Sequence, residues 1–138
     1  ELVCVTENDA CCVDAIQCLL GCTYGKANLI PRLRGKMAFT FFVRDENSSA
    51  AKAVRLFLKP EAGEGMSRDE YQNYLLNTPY TELFEVLEPR IALPEPARHF
   101  ASEHCSVCGE YTAEYGLRLQ DGKPVCLDCY SAYEREGF

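Results

Sequence analysis

The sequence predicts an α+β domain followed by a small module organised by metal, and three observations predict it. Strand-like runs and helix-like runs share the chain up to about Leu87. Three prolines then punctuate Glu88 to Pro96 and break regular structure. Beyond them stand two Cys-x2-Cys pairs, Cys105/Cys108 and Cys126/Cys129. A length of 138 residues suits one domain plus a small appendage. At 47% hydrophobic residues the chain is not disordered. A formal charge of −7, shared by both parts, argues against broad nucleic-acid binding. No apolar run approaches the ~18 residues of a membrane span, and no signal peptide is visible.

The elements follow in order. Leu2 to Thr6 is β-rich and reads as a strand. Asn8 or Asp9 caps the helix that follows and Gly21 closes it. On a helical wheel Cys12, Val13, Ala15, Ile16, Leu19 and Leu20 fill one apolar arc. GCTYGKAN, residues 21–28, reads as a glycine-punctuated loop. KMAFTFFVR (36–44) and AVRLFLK (53–59) read as an antiparallel hairpin joined by DENSSA. Ser67 with Glu70 forms a capping box for a helix to about Leu76. A short helix or turn starts at Thr78-Pro79, and Leu83 to Leu87 reads as a further strand. The boundary falls between about Leu93 and Glu103, giving a core over residues 1–96 and a finger over 97–138.

Nine cysteines demand an explanation. An odd count disfavours a closed disulfide framework, and two separated clusters suggest metal or redox chemistry in a reducing cytoplasm. Cys105, Cys108, Cys126 and Cys129 have the spacing of a Cys4 zinc site, with 17 residues between the pairs. Four thiolates complete a tetrahedral shell at about 2.3 Å and leave no open position, so the role of Zn2+ would be structural. Gly109 permits a tight knuckle, residues 114–125 read as a hairpin turning at Asp121-Gly122, and the second pair precedes a helix-like SAYERE run. Together they describe a treble-clef finger. Two disulfides or four free thiols are the competing reading, and His104 is an alternative ligand.

In the amino-terminal helix Cys11, Asp14 and Cys18 share one stripe. Cys11 lies near the helix start, where the dipole favours a reactive thiolate. Cys11 and Cys18 are ~10 Å apart along the axis, too far to share one metal easily. Spacing alone leaves function and packing open for Cys11 and Cys22. Cys4 and Cys12 read as small hydrophobes in the core.

The string ENDACCVDAIQCLLGCTYGKANLI, residues 7–30, resembles the signature of the FmdE-type family of formylmethanofuran dehydrogenase proteins. The matching positions are Glu7, Asn8, Cys11, Asp14, Ala15, Ile16, Gln17, Gly21, Cys22, Thr23, Gly25, Lys26 and Asn28. MAFTFF, KAVRLFL and the CSVCGE start of the tail fit the same pattern. The resemblance implies a thioredoxin-like α+β core, with a mixed sheet flanked by helices, and a treble-clef domain. It implies a cytoplasmic protein of anaerobic metabolism, associated with molybdenum or tungsten enzyme subunits. It also implies a core site able to hold a second metal. Cys11 and then Cys22 are its candidate catalytic residues, with Asp14, Gln17 and Lys26 orienting or balancing charge. Cys4, Cys12 and Cys18 fall outside the signature and are expected to pack. Family members carry a His-Gly-His-x-Cys-Pro-Gly-like segment before this point, and the core is expected to lack it here.

The leading functional expectation is a metal-binding accessory or redox-linked protein, with the finger docking a protein partner or a second copy. The alternative is a non-enzymatic regulatory or scaffolding protein, with Lys26, Arg32, Arg34 and Lys36 as a small basic patch. A stand-alone thiol oxidoreductase is weaker, because the amino-terminal part holds no Cys-x-x-Cys.

Overall fold

A computed structural model describes residues 1–45, 52–61 and 63–133 of the chain. The expected DENSSA loop and half of the SAYERE run lie outside these residues. The chain divides into two compact units, Glu1–Pro96 and Ala97–Phe138.

The first unit is built on a five-stranded mixed sheet of order β2-β1-β3-β4-β5. Its strands are β1 (Leu2–Thr6), β2 (Leu29–Pro31), β3 (Ala38–Val43), β4 (Lys52–Leu58) and β5 (Phe84–Leu87). β1 and β2 run parallel, connected through helix α1 (Cys12–Leu20), and every other pairing is antiparallel. LVCVT lacks polar alternation because β1 is covered on both faces, and Val3 to Thr6 are all buried. On one face Cys4, Ile16, Cys22, Leu29 and Phe39 form a core with Cys12 and Val13 of α1 packed against it. On the other, Val3, Val5 and Phe42 pack with Ile30, Ala53, Ile91 and Leu93. The proline-punctuated segment therefore covers a sheet face, and Arg44 Nη2 donates to the Pro94 carbonyl at 2.7 Å.

Three local features differ from expectation. β2 is a strand that the loop-like sequence did not announce. The helix begins at Cys12 with Cys11 as its N-cap, and no side chain caps it. Asn8 is committed elsewhere: its Oδ1 accepts the Ala10 N–H and its Nδ2 donates to the Lys36 carbonyl. The apolar arc is also only half used, since Ile16 is buried while Leu19 is 81% exposed. Gly21 ends the helix at φ 65°, a left-handed conformation that suits glycine. Helix α2 (Arg68–Asn77) carries the expected capping box, and α3 (Tyr80–Leu83) leads directly into β5.

The second unit contains two hairpins, β6 (Ser102–His104) with β7 (Tyr111–Ala113) and β8 (Leu117–Gln120) with β9 (Lys123–Cys126). Asp121 and Gly122 turn the second hairpin at φ 51° and 75°, the paired positive values of a tight two-residue loop. Residues 131–133 carry no helix. Among the described residues no helix is long and apolar enough to cross a membrane.

Candidate metal centre and core cysteine site

Two turns bring the carboxy-terminal cysteines together. Cys105 and Cys108 flank the turn between β6 and β7, closed by the Gly109 N–H donating to the Cys105 carbonyl at 2.9 Å. Cys126 ends β9, and a turn to Cys129 is held by the Cys129 and Tyr130 N–H groups, both donating to the Cys126 carbonyl. The four Sγ atoms lie within 4.8 Å of one another, and Cys108 Sγ is 3.9 Å from Cys126 Sγ. A tetrahedral Zn–S shell at about 2.3 Å has sulfurs about 3.8 Å apart, so the donor set fits Zn2+.

The electrostatics point the same way. Backbone N–H groups of Val107 and Cys126 donate to Cys105 Sγ at 3.4 and 3.3 Å. Donation from Cys126, then the Cys108 backbone, draws the Cys105 thiol down to about 6, favouring thiolate. The neighbouring Cys126 sulfur, then burial, pushes Cys129 up to about 12. Four crowded sulfurs cannot all become thiolates unless a cation balances them. His104 is not among them: its Nδ1 is bonded to the Gly109 carbonyl at 2.8 Å, and its ring meets Tyr111 edge-on.

In the first unit the signature residues disperse to different tasks. Cys11 is exposed before α1 and lines an apolar cavity of about 260 Å3 with Cys12, Met37, Phe39, Tyr71 and Leu75. Cys22 lies past the far end of α1, whose nine residues span ~14 Å. It is fully buried beside Cys4, and its Sγ–H donates to the Leu2 carbonyl at 3.6 Å. Burial, then Glu1, pushes the Cys22 thiol up, and burial pushes Cys4 up to about 12. The structure therefore does not bring Cys11 and Cys22 together. Cys12 is half-buried, and burial followed by Cys11 raises its thiol. Cys18, expected to pack, is exposed.

Gln17 lines a separate cavity of about 230 Å3 with Asn8, Asp9, Val13 and Tyr24. Asp14 is exposed. Lys26 Nζ donates to the Gly21 carbonyl at the end of α1. Asn28 locks the same loop: its Oδ1 accepts the Thr23 N–H at 2.8 Å, and its Nδ2 donates to the Leu2 and Gly21 carbonyls. Much of the GCTYGKAN string thus builds a loop.

Sequence reasoning missed a buried ion pair. Arg55 Nε and Nη2 donate to the two carboxylate oxygens of Glu7 at 2.7 and 3.0 Å, with side-chain exposures of 1% and 5%. The signal was present: an arginine in the middle of the apolar run AVRLFLK must find a partner if the strand is inside the sheet.

A mixed-sheet α+β unit followed by a four-sulfur centre defines a two-part, metal-binding protein. The chain matches the FmdE family, described as molybdenum formylmethanofuran dehydrogenase operon, over residues 1–88, and it belongs to that family. Residues 100–135 match the prokaryotic dksA/traR C4-type zinc finger. Among solved structures it is similar to an FmdE-like protein of the tungsten formylmethanofuran dehydrogenase type from Syntrophus aciditrophicus. The identity is 22% and the TM-score 0.61, over 94% of this chain and 71% of the other. That likeness concerns the fold. No curated protein matches the chain.

Proposed function

We propose that this protein is a metal-binding accessory or redox-linked component of a molybdenum or tungsten formylmethanofuran dehydrogenase system. The convergence of four sulfurs within 4.8 Å carries the metal-binding part. Cys105, Cys108, Cys126 and Cys129 would hold Zn2+, which supplies cohesion to the second unit and no open coordination position for a substrate. The knuckle before Gly109 and the β8–β9 hairpin support a treble-clef reading of that unit. A thioredoxin-like description of the mixed sheet, a cytoplasmic location, anaerobic metabolism and a homodimer belong to the same proposal, and rest on family membership.

In the core, Cys11 is the candidate for a second metal or for thiol chemistry, because it is exposed and opens onto a cavity. Cys22 serves as packing in this reading, since it is sealed beside Cys4. The alternative is a regulatory or scaffolding protein without core chemistry, and the dispersal of the signature residues favours it. Metal analysis and thiol labelling of the full chain and of Cys11→Ser separate the two. About two metals per chain falling to about one, with loss of the fastest-labelling thiol, supports the core site. About one metal in both, with unchanged labelling, leaves the scaffold reading.

A further inference from the structure

The buried Glu7–Arg55 pair forms part of a cavity of about 190 Å3 lined by Lys36, Arg55, Phe57, Glu85, Leu87 and Arg90. Strand alternation places Arg55 on the sheet face that carries Val5 and Ala53, cross-strand from Thr40 and Leu87. Arg55 gives Nε and Nη2 to Glu7, which leaves Nη1 without a hydrogen-bond partner among the described residues. No buried side-chain nitrogen or oxygen among those residues lacks a partner, so Nη1 reaches solvent. In a side chain only 1% exposed, that solvent is the cavity.

Lys36 and Arg90 line the same space. Both are exposed, and among the described residues neither side chain makes a hydrogen bond or ion pair. Both are close enough to help Arg55 hold the Glu7 carboxyl below its ordinary range. Three cations thus face two carboxylates, Glu7 and Glu85, and both Glu7 oxygens are already engaged. The remaining charge of +1 suits a monoanion. The other walls, Phe57 and Leu87, are apolar and offer no side-chain donor.

We propose that this cavity binds a small organic monocarboxylate. Its carboxylate is held by Lys36, Arg90 and the Nη1 of Arg55, and its apolar body lies against Phe57 and Leu87. Carboxylate geometry matches guanidinium donors, and these donors are set on a strand fixed by the bidentate Glu7 pair. A phosphate dianion carries more charge than the site balances, meets Glu85 at the wall, and has no use for the apolar side. The sequence suggests a basic patch of Lys26, Arg32, Arg34 and Lys36. The fold instead places Lys36 with Arg55 and Arg90, and turns Lys26 to its own loop.

The test titrates the full chain with sodium benzoate and with inorganic phosphate at constant ionic strength, following backbone amide resonances. Benzoate is expected to bind saturably below about 10 mM, with the largest shifts around Phe57 and Leu87, and more tightly than phosphate. The double variant Lys36→Gln/Arg90→Gln should weaken benzoate about tenfold with an unchanged melting curve, because both side chains are exposed. Glu85→Gln should tighten it severalfold. Absence of saturable benzoate binding overturns the proposal. So does an unchanged affinity in the double variant, or phosphate binding as tightly as benzoate.

Discussion

The two units use the same side chain in opposite ways, and the difference lies in what points at the sulfur. In the first unit Cys22 and Cys12 donate to oxygen, to the Leu2 carbonyl and to Asn8 Oδ1, and burial raises both thiols. Those sulfurs remain protonated and pack as small hydrophobes. In the second unit backbone N–H groups point at Cys105 Sγ and draw its thiol down. The core of that unit is Cys105, Val125 and Cys126, with Leu117 and Cys129 against it, so much of its interior is ligand sulfur. A sheet with two covered faces can do without metal. A pair of short hairpins with one buried valine cannot.

Metal removal gives the largest expected effect. Structural zinc contributes about 10–16 kcal/mol to folding in small finger peptides, so chelation should melt residues 97–138 and spare the sheet. Cys126→Ser should do the same and lower the zinc content by about one per chain. Amide exchange before and after chelation checks this directly. Protection that survives in β8 and β9 would show that the second unit holds itself together without the ion.

The first unit has its own vulnerable point in Glu7. Glu7→Gln leaves the buried Arg55 uncompensated and should cost about 3–5 kcal/mol, whereas Glu7→Leu with Arg55→Met should recover much of that loss. The Arg55 hydrogen bonds, with help from its charge, hold the Glu7 carboxyl below its ordinary 4.5. The pair's contribution is therefore complete above the unfolded value and lost as pH falls through the lower folded one. Denaturant melts across pH 2–6 (roughly) should show an acid limb for the native chain and a flatter limb for Glu7→Gln. An identical limb in both would assign acid sensitivity to other carboxylates.

This contrast explains which parts of the molecule were legible in the sequence. The finger ligands could be read because metal geometry fixes their spacing locally. The capping box at Ser67 and the Asp121-Gly122 turn could be read because each is settled within four residues. β2 could not, since Leu29–Pro31 is three residues long, contains proline, and forms only because β1 lies beside it. The partition of Cys11 and Cys22 was equally hidden: one signature string carries both, and only tertiary packing sends one to a cavity and seals the other. The Glu7–Arg55 pair joins residues far apart in the chain, beyond the reach of any spacing rule.

The smallest expected effect concerns how the Cys11 and Cys12 cavity is kept closed. Helix α2 has no fully buried residue, yet its Tyr71 and Leu75 help line that cavity. Its first turn is held by Ser67, whose hydroxyl accepts the Glu70 N–H while the Glu70 carboxylate accepts the Ser67 N–H at 2.8 Å. Ser67→Ala should cost about 1 kcal/mol, close to the limit of a global melt. The same loss, felt as local opening of α2, multiplies the open population about fivefold. Cys12 is half-buried against that cavity, so its modification rate should rise by a similar factor, while Cys18, already exposed, should label as before. A rise confined to Cys12 would make α2 the element that distinguishes a covered thiol from an open one. An unchanged rate would mean that the remaining walls, Met37, Phe39, Leu58 and Phe84, suffice to cover it.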